Sequence, residues 1–213
     1  GQGSFQAGLL EAVRGRARRA EHHRRGPGWK RQARRPRVPR GADGRLDASV
    51  VQVVSSKPDA FGLERARRAG ILTHVVERKS CSSREEFGER IFGLCRDAGA
   101  DLVCMAGFLA LVPIPDDYMG RVLNIHPALI PAFCGQGMHG HHVHEAVLKR
   151  GCTVSGCTVH FCDNEYDRGP IILQSCVPVV DDDIPETLAA RVFEAECVAY
   201  PEAIRRYAAG RVR

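Results

Sequence analysis

Hydrophobic and polar positions alternate along this chain in two rhythms. Residues 48–54, 71–76 and 102–108 are short runs of mostly branched apolar side chains, the composition of strands buried on both faces. Residues 61–69 and 84–98 repeat apolar side chains at helical spacing. Phe87, Ile91 and Leu94 line one side of the second stretch, and Gly70 and Gly99 close the two. Residues 122–126 give another strand and 141–149 a further helix; 154–162 and 170–180 are two β-rich runs joined by the polar loop 163–169. A long helix starts at Asp183-Ile184-Pro185-Glu186 and runs through Tyr200, with Pro201 opening a terminal turn of helix. Such alternation over short links predicts an α/β fold, a mainly parallel sheet covered by helices on both faces with its last strands as an antiparallel edge.

Residues 1–46 break this pattern. Gly1 to Ser4 read as a Gly-rich turn, whose backbone N–H groups can hold a phosphate, running into a short amphipathic helix that ends at Val13. A phosphate loop of this kind follows a buried strand, and since none precedes Gly1 the first strand is expected to be missing. Residues 14–40 hold twelve Arg or Lys against Glu21, a local +11 in a chain of net +6 that leaves −5 for the rest. With no apolar periodicity, residues 14–46 predict a solvated, disordered insertion. Polycations also attract nucleic acid, but Trp29 is the one stacking side chain in that run and nucleic acid is not expected as a partner.

At 213 residues and 44% hydrophobic content the chain can bury one sizeable core. No apolar run reaches membrane-spanning length and no signal segment opens the chain, so a soluble, cytoplasmic protein is expected. The nine cysteines are odd in number, and Cys104, Cys157, Cys162 and Cys176 sit inside strand-like runs, as reduced core thiols do. His139, His141, His142 and His144 crowd six positions. Only Glu145 stands near them at ligand spacing, so the expectation is the rim of a site and no metal.

The candidate chemistry lies at the end of the strand 122–126. In an extended chain Asn124 and His126 project to one face while Ile125 turns back to the core. An amide N–H that cannot ionise and an imidazole that can are the pair needed to stabilise an oxyanion and move a proton. Asp167, on the loop 163–169, is placed to orient or protonate an imidazole, although an aspartate in a turn before Gly169 is also ordinary.

Several stretches together extend this reading: Asp59-Ala60-Phe61-Gly62-Leu63-Glu64, Ala106-Gly107-Phe108, Leu123-Asn124-Ile125-His126-Pro127, Val159-His160-Phe161 and Tyr166-Asp167-Arg168-Gly169-Pro170. From Val50 onward the chain resembles the phosphoribosylglycinamide formyltransferases, the folate-dependent family of purine synthesis. The resemblance implies a Rossmann-like fold, a catalytic domain over residues 47–213, and residues 1–13 as the remnant of its phosphate loop and first helix. It implies transfer of a formyl group from 10-formyltetrahydrofolate, a co-substrate, to the amine of glycinamide ribonucleotide, with Asn124, His126 and Asp167 as the catalytic trio. By the same analogy Gly3, Ser4, Gly107, Pro127 and Glu196 bind the ribonucleotide. Leu109, Ala110, Val112, Cys162 and Asn164 line the folate site. The partners implied are these small molecules, with the chain a monomer or homodimer. The alternatives are a related folate enzyme, such as formyltetrahydrofolate hydrolase or another formyltransferase, and an inactive or nucleic-acid-binding derivative. Phe5, where the family often has Asn, and Arg168, where Gly is frequent, depart from its pattern.

Overall fold

The computed structural model describes residues 9–14 and 48–212. In chain order the elements are β1 (Leu9–Arg14), β2 (Ser49–Ser55), α1 (Phe61–Arg68), β3 (Leu72–Val75), α2 (Arg84–Asp97), β4 (Leu102–Ala106) and β5 (Val122–His126). Then come α3 (His141–Arg150), β6 (Val154–Phe161), β7 (Ile171–Pro178) and α4 (Pro185–Ala208). The strands form one sheet in the order β3-β2-β1-β4-β5-β6-β7. Two pairs are parallel, β2 with β3 and β4 with β5, and β6 and β7 form the expected antiparallel edge.

The centre of the sheet differs from expectation. Residues 9–13 were expected as a helix, yet Leu9–Arg14 is a strand lying antiparallel to both β2 and β4, which makes the sheet mixed. A five-residue, mostly apolar run interrupted only by Glu11 satisfies strand and helix periods alike. Here the unpaired edges of β2 and β4 decide it, because β1 satisfies both backbones at once. Leu10 and Ala12 are fully buried towards α2, Val13 is buried on the opposite face, and Leu9 packs where a side chain on Gly62 of α1 would stand. The slot expected to be vacant for lack of a first strand is thus filled by β1. Gly3, Ser4 and residues 15–46 of the basic insertion lie outside the described residues, while Arg14, expected as the insertion's first residue, instead ends β1.

Alternation along the strands assigns the two faces. Val103, Met105 and Val122 turn to α2, against Phe87, Ile91 and Phe92. Cys104 and Leu123 turn to the far half of α4, and Ile125, Cys157 and Val159 to α3 and the near half of α4. Helix α2 starts on a reciprocal cap: Ser83 accepts from the Glu86 N–H at 3.1 Å while the Glu86 carboxylate takes the Ser82 N–H at 2.6 Å. Helix α4 continues unbroken through Pro201, where a separate terminal turn was expected. Proline there forfeits a bond to the carbonyl of Cys197, which lies on the exposed side, while Ala203, Ile204 and Tyr207 keep burying apolar surface beyond it. Tyr200 points its hydroxyl at the carbonyls of Met105, at 2.9 Å, and Leu123, at 3.1 Å, locking α4 beneath β4 and β5.

Candidate active site

Asn124 and His126 leave β5 on the same face as Val122, opposite to Ile125, as the period of two requires. Across the ladder Asn124 pairs with His160 and His126 with Thr158, so the four polar side chains form one patch. Thr158 pairs in turn with Gln174 of β7. The chain after His126 and the loop carrying Asp167 close over this patch. That loop returns tightly, with Phe161 N–H donating to the Pro170 carbonyl at 2.9 Å, and it needs glycine at 169, since a side chain there would collide with the Phe161 carbonyl. The β6–β7 register shifts at Val159/His160, directly beside the site.

The loop brings the Asp167 carboxylate between two imidazoles. Its Oδ2 is 3.6 Å from His126 Nδ1 and its Oδ1 is 3.6 Å from His160 Nε2. The outer nitrogens of both rings are committed to carbonyls, which only accept: His126 Nε2 lies 2.7 Å from the Phe133 oxygen and His160 Nδ1 2.8 Å from the Phe161 oxygen. Each outer nitrogen therefore carries the hydrogen, and each ring turns its proton-accepting nitrogen towards Asp167. The Asn124 amide donates to His160 Nε2 at 3.3 Å, which leaves its second amide hydrogen free. The Gly135 N–H donates to Asp167 Oδ2 at 2.9 Å.

These surroundings set the charges. His126 is 3% exposed, and burial pulls its pKa below the ordinary value despite the opposing pull of Asp167 and the Phe133 carbonyl. Burial pushes the Asp167 carboxyl up, but the nearness of His160 and His126 and the bond from the Gly135 N–H outweigh it, and the net shift is downward. At neutral pH the site thus holds an ionised carboxylate beside a neutral imidazole. Phe133 and Asp167 are the non-glycine residues with positive φ, 49° and 54°, among those described. Both hold groups of this site, and the conformation costs roughly 1–2 kcal/mol at each.

The other expected site residues divide. Gly107 follows β4 with φ 63°, a turn that favours glycine, and Pro127 follows His126 directly. Val112 is buried in the α2 core; Phe108, Ala110 and Cys162 pack partly buried against it, and Leu109 is 40% exposed at the rim. Asn164 is used structurally: its Oδ1 accepts from the Ile114 N–H at 2.7 Å, tying the Asp167 loop to the chain after β4. Glu196 stands apart on α4, over the opposite face near Cys157; it has no hydrogen-bond donor among the described residues, and burial pushes its carboxyl up to about 7. Of the histidine group, His141 lies 3.8 Å from Glu186 and His142 3.5 Å from Glu145. His144 is buried with its Nδ1 unpartnered and its pKa down to about 4, through burial first and then the charges of His141 and His126. Among the described residues no group of three or more His, Cys, Asp or Glu is placed to hold a metal ion.

Sequence reasoning gave no role to His160 or Thr158. The signal was available, because alternation along residues 154–161 puts both on one face. Only the antiparallel register with β5 shows that this is the face of Asn124 and His126.

Comparison with known proteins places the same stretch of chain in a family context. A family model described as formyl transferase matches residues 37–204. The trifunctional purine biosynthetic protein adenosine-3 of Gallus gallus is 42% identical over 168 residues, covering 78% of this chain but 16% of that protein's length. The phosphoribosylglycinamide formyltransferase of Escherichia coli (strain K12) is 39% identical over 171 residues, 79% of this chain and 78% of its own. Among solved structures, glycinamide ribonucleotide transformylase 1 from Symbiobacterium toebii superposes with a TM-score of 0.74 at 43% identity, covering 79% of this chain and 78% of that one.

Proposed function

The chain belongs to the formyl transferase family, and from that premise we propose that it moves a formyl group from 10-formyltetrahydrofolate to the amine of glycinamide ribonucleotide in purine biosynthesis. The observation that carries the reading is the convergence of Asn124, His126 and Asp167 on one water-poor face, with the charge states the reaction needs.

The amine nitrogen attacks the formyl carbon, a C–N bond forms, and the carbonyl oxygen becomes an oxyanion. The free amide hydrogen of Asn124 supplies a donor to that oxygen without any change of protonation. The attacking amine must then lose a proton and the folate nitrogen must gain one before it departs. His126 Nδ1 is basic, buried, and steadied as imidazolium by the Asp167 carboxylate 3.6 Å away, so it can hold that proton and pass it on through water. No bond between enzyme and formyl group is required.

The half-buried Phe108, Ala110 and Cys162 with Val112 behind them offer an apolar wall for the pterin, rimmed by Leu109 and the loop at Asn164. Gly107 and Pro127 flank the reacting groups, and the unpartnered Glu196 carboxylate suits hydroxyl or amine groups of the ribonucleotide. Leu9 pairs with Ala106 at the substrate end of β4. Ser4 is five residues further out, within roughly 17 Å of extended chain, which is consistent with Gly3 and Ser4 serving the phosphate. Residues 47–213 are on this reading the catalytic domain, acting in the cytoplasm as a monomer or homodimer. No helix among the described residues is long and apolar enough to cross a membrane.

The test is formyl transfer by the purified chain, followed as loss of 10-formyltetrahydrofolate with and without glycinamide ribonucleotide. Turnover dependent on the ribonucleotide supports the proposal. Equal folate turnover without it, releasing formate, would replace the transferase with a hydrolase.

A further inference from the structure

The segment that follows His126 is held to the sheet by two side chains with no part in the chemistry described above. Thr158 on β6 is fully buried, and its hydroxyl donates to the Ala128 carbonyl at 2.7 Å while accepting from the Ile130 N–H at 3.1 Å. Gln174, its partner across β6 and β7, joins the same network with its side-chain amide nitrogen: it donates to the Ile130 carbonyl at 2.9 Å and to Thr158 Oγ1 at 3.1 Å. Every donor in this set is matched, and its centre, the Thr158 hydroxyl, is buried; a matched polar network of this kind is rigid in a way that apolar packing is not. Leu129, inside the turn, fits over Gly156, where a side chain would strike both it and the Ser175 carbonyl. The turn then delivers Phe133, whose carbonyl holds His126 Nε2, and Gly135, whose N–H holds Asp167.

We propose that Thr158 and Gln174 are positioning residues for catalysis, fixing the tautomer and orientation of His126 and the seat of Asp167 through the turn 127–135. The inference rests on the formyl-transfer reading. Neither residue touches the reacting atoms. Thr158 faces His126 in the ladder, so the network begins at the ring it serves and returns to it through the Phe133 carbonyl.

The experiment uses the full chain and three variants, Thr158→Val, Thr158→Ser and Gln174→Met, read by steady-state formyl transfer and by NMR titration of the His126 ring without substrate. Thr158→Val keeps the shape and removes the hydroxyl. It is expected to lower kcat by roughly ten- to a hundredfold, the scale set by a misplaced acid–base group, with KM for both substrates within about threefold. Thr158→Ser is expected to recover to within about threefold. Gln174→Met, at an exposed position and therefore readable even if Thr158→Val does not fold, is expected to lose roughly three- to tenfold in kcat. In each impaired variant the His126 titration midpoint should rise as the turn loosens and the ring is wetted. A kcat loss with an unmoved His126 titration, or failure of serine to rescue, would overturn the proposal in favour of simple packing. If the wild-type chain shows no formyl transfer, the ring titration still reports whether Thr158 and Gln174 set the state of His126, separating this inference from the reading beneath it.

Discussion

The Asn124 amide and the His160 ring face each other across β5 and β6, with Nδ2 3.3 Å from Nε2. His160 thereby decides which way the Asn124 amide points and, 3.6 Å from the Asp167 carboxylate, also helps hold that carboxyl below its ordinary range. His160→Ala should lower kcat/KM by roughly ten- to a hundredfold. It should also move the acid limb of the pH–rate profile upward, because burial, which alone raises the Asp167 pKa, is then less opposed. A profile whose acid limb stays in place would show that His160 does not govern Asp167.

His126→Ala and Asp167→Asn should each reduce formyl transfer by at least roughly a hundredfold, the usual cost of losing an acid–base group. Asp167→Asn is the sharper probe, since its amide oxygen can still accept from the Gly135 N–H and only the charge is removed. Single-turnover transfer with both substrates saturating measures the chemical step, and titration with a folate analogue measures binding. Near-normal turnover in folded Asp167→Asn would mean that the carboxylate is a tether rather than a partner of the imidazolium.

Gly169→Ala tests the loop that presents Asp167. The added carbon would meet the Phe161 carbonyl, which is backbone and cannot rotate away. The collision should cost about 1–3 kcal/mol of stability, as overpacking does, and displace Asp167, so that kcat falls while binding of the ribonucleotide persists. Denaturant unfolding gives the first quantity and steady-state kinetics the second; a variant as stable and active as wild type would show that the loop has room to move.

Much of this was readable beforehand because it depends on local periods. The strands β2, β4 and β5, the helices, the antiparallel edge and the shared projection of Asn124 and His126 all follow from spacings of two or of three to four. What escaped depends on pairing at long range. Leu9–Arg14 reads equally as helix or strand until the free edges of β2 and β4 are known, and they lie about 40 and 90 residues further along the chain. The part played by His160 and Thr158 depends on register with a strand more than thirty residues away, for which no spacing in the sequence is a sign. Pro201 was given too much weight as a boundary, because apolar burial beyond it outweighs the loss of one exposed backbone bond.

Glu196 links the binding surface to stability. Its carboxyl is half-buried, without a donor among the described residues, and is pushed up to about 7 from 4.5. Between those two values the unfolded chain has released the proton and the folded chain has kept it. The unfolded state therefore binds fewer protons there, and stability falls as pH rises through this window. Above it the folded protein carries the full cost of an ionised, undersolvated carboxylate, up to about 3 kcal/mol at 1.36 kcal/mol for each pH unit. Glu196→Gln removes the ionisation while keeping the shape. Denaturant unfolding at pH 4.5 should find the two proteins alike, and at pH 8 the variant should be more stable by an amount approaching that figure. Ribonucleotide added to the wild type at pH 8 should close part of the gap by giving the carboxylate its missing donors, and should do far less for the variant. Parallel stability curves for the two proteins across this range would show that Glu196 is solvated in the fold, and its place as an unpartnered acceptor for the ribonucleotide would go with it.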